Sequence, residues 1–123
     1  MPGDELLRRA EILRTADEVD AFLQAHPSCA IFKAGGCRRT DDALEVLESL
    51  LAPRGDVPLA LIRVTEARAA SQRVTERTAL KHESPQLLLL KDGRLAWACD
   101  NWRILRDPVA EALAAHFPPS RAS

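Results

Sequence analysis

Cys29-Ala30-Ile31-Phe32-Lys33-Ala34-Gly35-Gly36-Cys37-Arg38-Arg39-Thr40 is the stretch that decides the fold. Its first five residues are largely apolar, as in a strand covered on both faces. Ala34-Gly35-Gly36 then releases the chain into a helix expected from about Thr40 to Leu51. Ala43, Leu44, Leu47, Leu50 and Leu51 give that helix an apolar stripe at helical spacing. Cys37 is thereby placed at a helix N-terminus. Unpaired backbone N–H groups and the positive end of the macrodipole there favour thiolate over thiol. Further on, Ser84-Pro85-Gln86 leads into the apolar run Leu87 to Leu90. A thiol at a strand-to-helix junction and a proline opening a later strand are parts from which a thiol–disulfide exchange site can be built.

Working outward, Thr15-Ala16-Asp17-Glu18 has capping-box spacing and opens a helix that buries Val19, Phe22 and Leu23 until His26-Pro27 ends it. Leu59 to Val64 reads as a buried strand and Glu66 to Leu80 as a helix. Asp92-Gly93 between Gln86–Leu90 and Arg94–Cys99 predicts a two-residue hairpin. With that turn, Lys91 faces Arg94 and Cys99 faces Gln86. Asp107-Pro108 reads as N-cap and N1 of a last helix through Val109, Leu113 and Phe117. Residues 1–14 read as an N-terminal extension, in which Glu5-Leu6-Leu7 and Ile12-Leu13 around Arg8-Arg9 offer a short helix or a strand leading into the fold, and 118–123 as a flexible tail. The order α β α β α β β α predicts one α/β domain over residues 1–123, with a central mixed four-stranded sheet flanked by helices.

Composition narrows the function classes. With 46% hydrophobic and 28% charged residues, the 123-residue chain fits a soluble globular domain and not a disordered one. The formal charge of −1, with Arg and Glu interleaved, gives no electrostatic footprint for nucleic acid or an anionic membrane. No apolar run is long enough to span a bilayer. Met1-Pro2-Gly3-Asp4-Glu5 is acidic where a secretory signal would be basic, so a cytoplasmic location is expected. Three widely spaced cysteines then read as free or transiently oxidised thiols. Without a Cys-x-x-Cys pair or a His-rich tract, no metal site is expected.

Ile31-Phe32-Lys33 before the cysteine, Lys81-His82-Glu83-Ser84-Pro85-Gln86, and a hairpin ending in Asn101-Trp102 resemble the monothiol bacilliredoxin family. Those are redox proteins of the bacillithiol system, with a thioredoxin-like fold. The resemblance runs from about Arg14 to Trp102, and the Lys-His-Glu-Ser-Pro-Gln hexapeptide is its most specific part. It implies thiol–disulfide exchange on protein–bacillithiol mixed disulfides through one nucleophile, Cys37. Bacillithiol would be the thiol co-substrate, with no bound cofactor and with S-thiolated proteins as partners of a monomer or weak dimer. It also implies that Pro85 is a cis-proline beside the cysteine, with Ser84 offering its backbone to a bound thiol or peptide. The chain departs from the family at the cysteine itself. Cys37-Arg38-Arg39-Thr40 stands where the family has Cys-Pro-Ile-Ser, and the preceding loop is one residue shorter.

That departure leaves a second reading, a thioredoxin-like adaptor or thiol sensor without turnover, and a third, a thiol-dependent reductase or peroxidase of small molecules. Gly36, Arg38, Arg39, Thr40, Ser84, Pro85 and Trp102 are the expected substrate contacts. The two arginines would hold the carboxylates of an acidic thiol in their planar forks. His82 would either pass a proton to the leaving thiolate or satisfy a nearby loop carbonyl, the second being favoured. Trp97 reads as core. Cys29, at the far end of the strand from Cys37, is beyond disulfide reach and reads as core. Cys99, at the same sheet end as Cys37, is an auxiliary candidate for a resolving thiol, with core packing as the default.

Overall fold

The strand and helix periods of the sequence become two apolar layers on the two faces of one sheet. The structure, a computed structural model, describes residues 4–119. The chain runs α1 (Asp4–Arg9), β1 (Glu11–Ile12), α2 (Ala16–Ala25), β2 (Cys29–Ala34), α3 (Arg38–Leu51), β3 (Leu59–Arg63), α4 (Arg68–Thr78), β4 (Gln86–Lys91), β5 (Arg94–Asp100), a 3-10 turn (Asn101–Arg103) and α5 (Arg106–His116). Strand order is β1-β3-β2-β4-β5. The β1, β3 and β2 strands are parallel, whereas β4 pairs antiparallel with both β2 and β5.

Alternation along each strand divides the core. Ala30, Phe32, Leu87 and Leu89 face a layer built from α1, α3 and α5, with Leu6, Leu47, Leu51 and Leu113. Cys29, Ile31, Leu88 and Leu90 face the layer of α2 and α4, with Val19, Phe22 and Val74. The central strands β2 and β4 are therefore buried on both sides, which accounts for their almost unbroken apolar sequences.

The expected α2 start forms with both bonds of its capping box. Glu18 N–H donates to Thr15 Oγ1 (3.0 Å), and the Glu18 carboxylate accepts from the Thr15 N–H. The hairpin turn also forms as expected. Asp92 and Gly93 have φ of 53° and 81°, the pair of left-handed residues that a type I′ turn requires.

Four expectations are corrected. The sheet has five strands instead of four, because Glu11 and Ile12 pair with Ala60 and Leu61 of β3. A two-residue strand has no period to read. Residues 4–14 are consequently part of the fold and not an extension. Leu6 and Leu13 are buried, and Arg9 donates to the carbonyl of Leu51 at the end of α3 and to those of Arg54 and Val57 in the loop that follows.

The last helix begins at Arg106 with Leu105 as its N-cap, so Asp107 and Pro108 lie inside its first turn. Proline fits there because first-turn N–H groups have no intrahelical partner. Finally, Cys99 faces Leu87, and Asp100 faces Gln86. A bulge opposite Leu89/Leu90 inserts Ala96 as an extra residue and moves the rest of β5 by one position. Of the expected tail, Pro118 and Pro119 continue from α5 as exposed, irregular chain, and residues 120–123 lie outside the described part.

Candidate functional site

The end of β2 and the start of α3 carry Cys37, and a single buried side chain organises the turn between them. Thr40 is 5% exposed. Its hydroxyl accepts the Gly35 N–H at 3.1 Å and lies 4.0 Å from Cys37 Sγ. Cys37 is the N-cap of α3, in extended conformation (φ −103°, ψ 168°), and its carbonyl accepts the Thr40 N–H at 3.0 Å. The cysteine is partly exposed.

Several influences act on this sulfur. Slight desolvation pushes its pKa up. The backbone N–H groups of Thr40 and Arg39, the Thr40 hydroxyl and the Arg39 charge outweigh it and hold the thiol below its ordinary value. Thiolate is favoured because the turn aims donors and positive charge at it.

The second loop of the site lies against the first. The Ser84–Pro85 peptide bond is cis. Gly35 sits so close to Ser84 that a methyl group there would collide with the Ser84 hydroxyl. Among the described residues, the Ser84 backbone takes part in no loop hydrogen bond, whereas the Pro85 carbonyl accepts the Asn101 N–H at 2.9 Å. Gly36 has open space above it and is exposed, so its lack of a side chain is not required by any contact within the fold.

The two arginines are not equivalent. Arg38 is exposed and makes no side-chain hydrogen bond among the described residues. Arg39 Nε donates to Asn101 Oδ1 at 3.1 Å, tying α3 to the 3-10 turn. That turn presents Trp102, 66% exposed, beside Arg39 and Leu105 around a shallow groove of about 140 Å³. Trp102 thus stands over the first turn of α3, next to the residues that flank the sulfur.

The other two cysteines are chemically quiet. Burial pushes Cys29 up to about 12. Burial, and then the Asp100 charge, push Cys99 up to about 12. Cys99 packs on the layer of α1, α3 and α5, as does Trp97, which is half-buried.

His82 has partners other than the loop carbonyl favoured from sequence. Its Nδ1 lies 3.2 Å from Ser71 Oγ and 3.3 Å from Lys33 Nζ. Burial and then the Lys33 charge lower its pKa, against an opposing pull from Glu83. Lys33 is completely buried, with Nζ also donating to Thr75 Oγ1 at 3.2 Å. Burial brings it down to about 8. Sequence reasoning quoted Lys33 without assigning it a role. The available signal was a lysine at a position whose strand alternation points into the α2/α4 layer.

Gln86, its cross-strand neighbour, is also buried and donates from Nε2 to the Lys81 carbonyl at 3.0 Å, fastening the loop that holds His82. No group of three or more His, Cys, Asp or Glu among the described residues is arranged to hold a metal ion. No helix among them is long and apolar enough to cross a membrane.

Comparison with known proteins gives the same picture of the fold and supplies a family. Residues 11–109 match the family described as "Monothiol bacilliredoxin BrxC". A candidate oxidoreductase with a thioredoxin fold is similar at a TM-score of 0.77 and 23% identity, over 86% of this chain and 95% of that one. Thioredoxin f2 of Chlamydomonas reinhardtii is similar at a TM-score of 0.70 and 15% identity, over 90% of this chain and 99% of that one. Thioredoxin of Fasciola hepatica is similar at 0.67 and 16%, over 86% and 98%. At these identities, the solved structures establish the thioredoxin fold alone.

Proposed function

The chain belongs to the monothiol bacilliredoxin family, and from that premise we propose that it exchanges disulfides of a low-molecular-weight thiol of the bacillithiol type through Cys37. The Cys37 thiolate attacks the bacillithiol sulfur of a protein–bacillithiol mixed disulfide. A Cys37–bacillithiol disulfide forms as the protein–bacillithiol bond breaks, and the released protein thiolate takes a proton from water. A second thiol then attacks the bacillithiol sulfur and returns Cys37 to thiolate. No electrons beyond those of the thiols and disulfides are required. The family and the free, widely separated cysteines also support a reducing, cytoplasmic setting.

The observation that carries this reading is the state of Cys37: partly exposed, at a helix N-cap, with its pKa lowered. Ser84 and Pro85 supply the facing backbone, and Trp102 the adjacent apolar wall. Arg38 and the unoccupied nitrogens of Arg39 draw an acidic thiol toward the sulfur. Exposed charges of this kind act more on the encounter than on the held complex.

Intact-protein and peptide mass spectrometry after treatment with oxidised bacillithiol tests the proposal. A single bacillithiol adduct on Cys37, removed by a second thiol, is expected. An unmodified Cys37 under conditions that modify a free thiol peptide would contradict it.

A further inference from the structure

We propose that the cavity between α4 and the His82 loop is a carboxylate subsite for the low-molecular-weight thiol carried on Cys37, an inference that rests on the exchange function above. The cavity holds about 570 Å³, within the usual range for small-molecule sites. Arg68, Ser71, Gln72 and Thr75 form one wall from a single face of α4, and Thr65 and His82 stand at its other sides.

Lys33 lies beneath it, fully buried, with its ammonium on Thr75 Oγ1 and His82 Nδ1. An ammonium has no lone pair, so the imidazole must accept that bond, and its ring proton sits on Nε2. Both partners of the ammonium are therefore neutral. Among the described residues no carboxylate is within ion-pair distance of Lys33 or Arg68. A cation held away from water without a counter-ion is costly, and an anion in the cavity offsets that cost through Thr75 and His82, which separate the two. Arg68 offers a planar fork, and the hydroxyls of Ser71 and Thr75 add donors of the kind a carboxylate uses.

The cavity borders the cysteine turn: Thr65 is shared with a second trough, of about 320 Å³, which Gly35, Gly36 and Thr40 line together with Asp41 and Glu66. Thr40 Oγ1 in turn lies 4.0 Å from Cys37 Sγ. Four residue steps keep the Lys33 and Cys37 Cα atoms within about 14 Å of each other, the scale of a thiol whose carboxylates lie a sugar ring away from its sulfur.

Two measurements test the assignment on the full chain. In an NMR titration with L-malate, saturable shifts at the Arg68, Ser71, Thr75 and His82 amides are expected, with Arg68→Ala weakening binding at least tenfold. In exchange kinetics, the preference for bacillithiol disulfide over the disulfide of its analogue lacking the malate group should fall at least fivefold in Arg68→Ala. Malate shifts confined to Arg38 and Arg39, or no saturable shifts, would overturn the subsite. So would an unchanged preference. If Cys37 reacts with neither disulfide, the exchange reading fails and the thiol assignment with it, while the malate titration still decides whether the cavity takes carboxylates.

Discussion

Cys37 and Cys99 are both partly exposed cysteines near one end of the same sheet, and their surroundings drive them in opposite directions. Cys37 caps a helix, so its sulfur meets unpaired N–H groups, a threonine hydroxyl and an arginine. Cys99 packs among apolar neighbours on β5, so burial raises it first and the Asp100 carboxylate second. Exposure alone does not make a reactive thiol. What matters is whether the sulfur itself is buried among apolar groups or meets donors and positive charge.

The largest effect expected from this contrast is all-or-none. Cys37→Ser should abolish thiolation by oxidised bacillithiol, whereas Cys99→Ser and Cys29→Ser should retain the adduct and its removal by a second thiol. Loss of turnover in Cys99→Ser with the Cys37 adduct intact would reassign Cys99 as a resolving thiol. Site-resolved mass spectrometry reads all three variants.

Next comes the ratio of reactivities. With Cys99 and Cys29 at about 12 and Cys37 below the ordinary thiol value of ~8.5, thiolate fractions at neutral pH should differ by roughly a thousandfold or more. Iodoacetamide labelling of the folded protein should modify Cys37 alone. The stability consequences have opposite signs. Raised values at Cys29 and Cys99 contribute stability present below the ordinary thiol range and lost as pH climbs toward about 12. The lowered Cys37 value contributes stability that appears as pH rises through it. Denaturation midpoints across alkaline pH should therefore fall less steeply for Cys99→Ser than for the unmodified chain.

Two neighbouring glycines sharpen the account of the Cys37 side. Gly35→Ala places a methyl group against the Ser84 hydroxyl, which must turn away, and should destabilise the fold by about 0.5–1.5 kcal/mol. Gly36→Ala meets open space and should stay within about 0.5 kcal/mol. Urea denaturation compares them. Equal effects would mean that the cysteine and proline loops are not pressed together.

Arg39→Ala is the smallest change. It removes one exposed charge near the sulfur and the bond to Asn101. The Cys37 pKa should rise slightly, with a modest loss of exchange rate and of its salt dependence. Arg38→Ala should not move that pKa.

The reactive turn was legible because a cysteine between Gly-Gly and an apolar helical stripe has few other places to go. The hairpin was legible for a similar reason, since Asp92-Gly93 supplies the two left-handed residues its turn needs. What escaped reading depended on contacts remote in sequence. A two-residue β1 is defined by its partner β3, and the bulge at Ala96 by packing across β4. Lys33 received no role from the sequence because its partners, Thr75 of α4 and His82 of the following loop, lie more than forty residues away along the chain.

The central claim is that the Cys37 turn lowers the proton affinity of its sulfur, and the pH dependence of its thiolate ultraviolet absorbance tests that most directly. Subtracting the Cys37→Ser titration from that of the unmodified chain isolates one group. A midpoint clearly below the ordinary ~8.5 of a free thiol is predicted. A midpoint at or above that value would contradict the account.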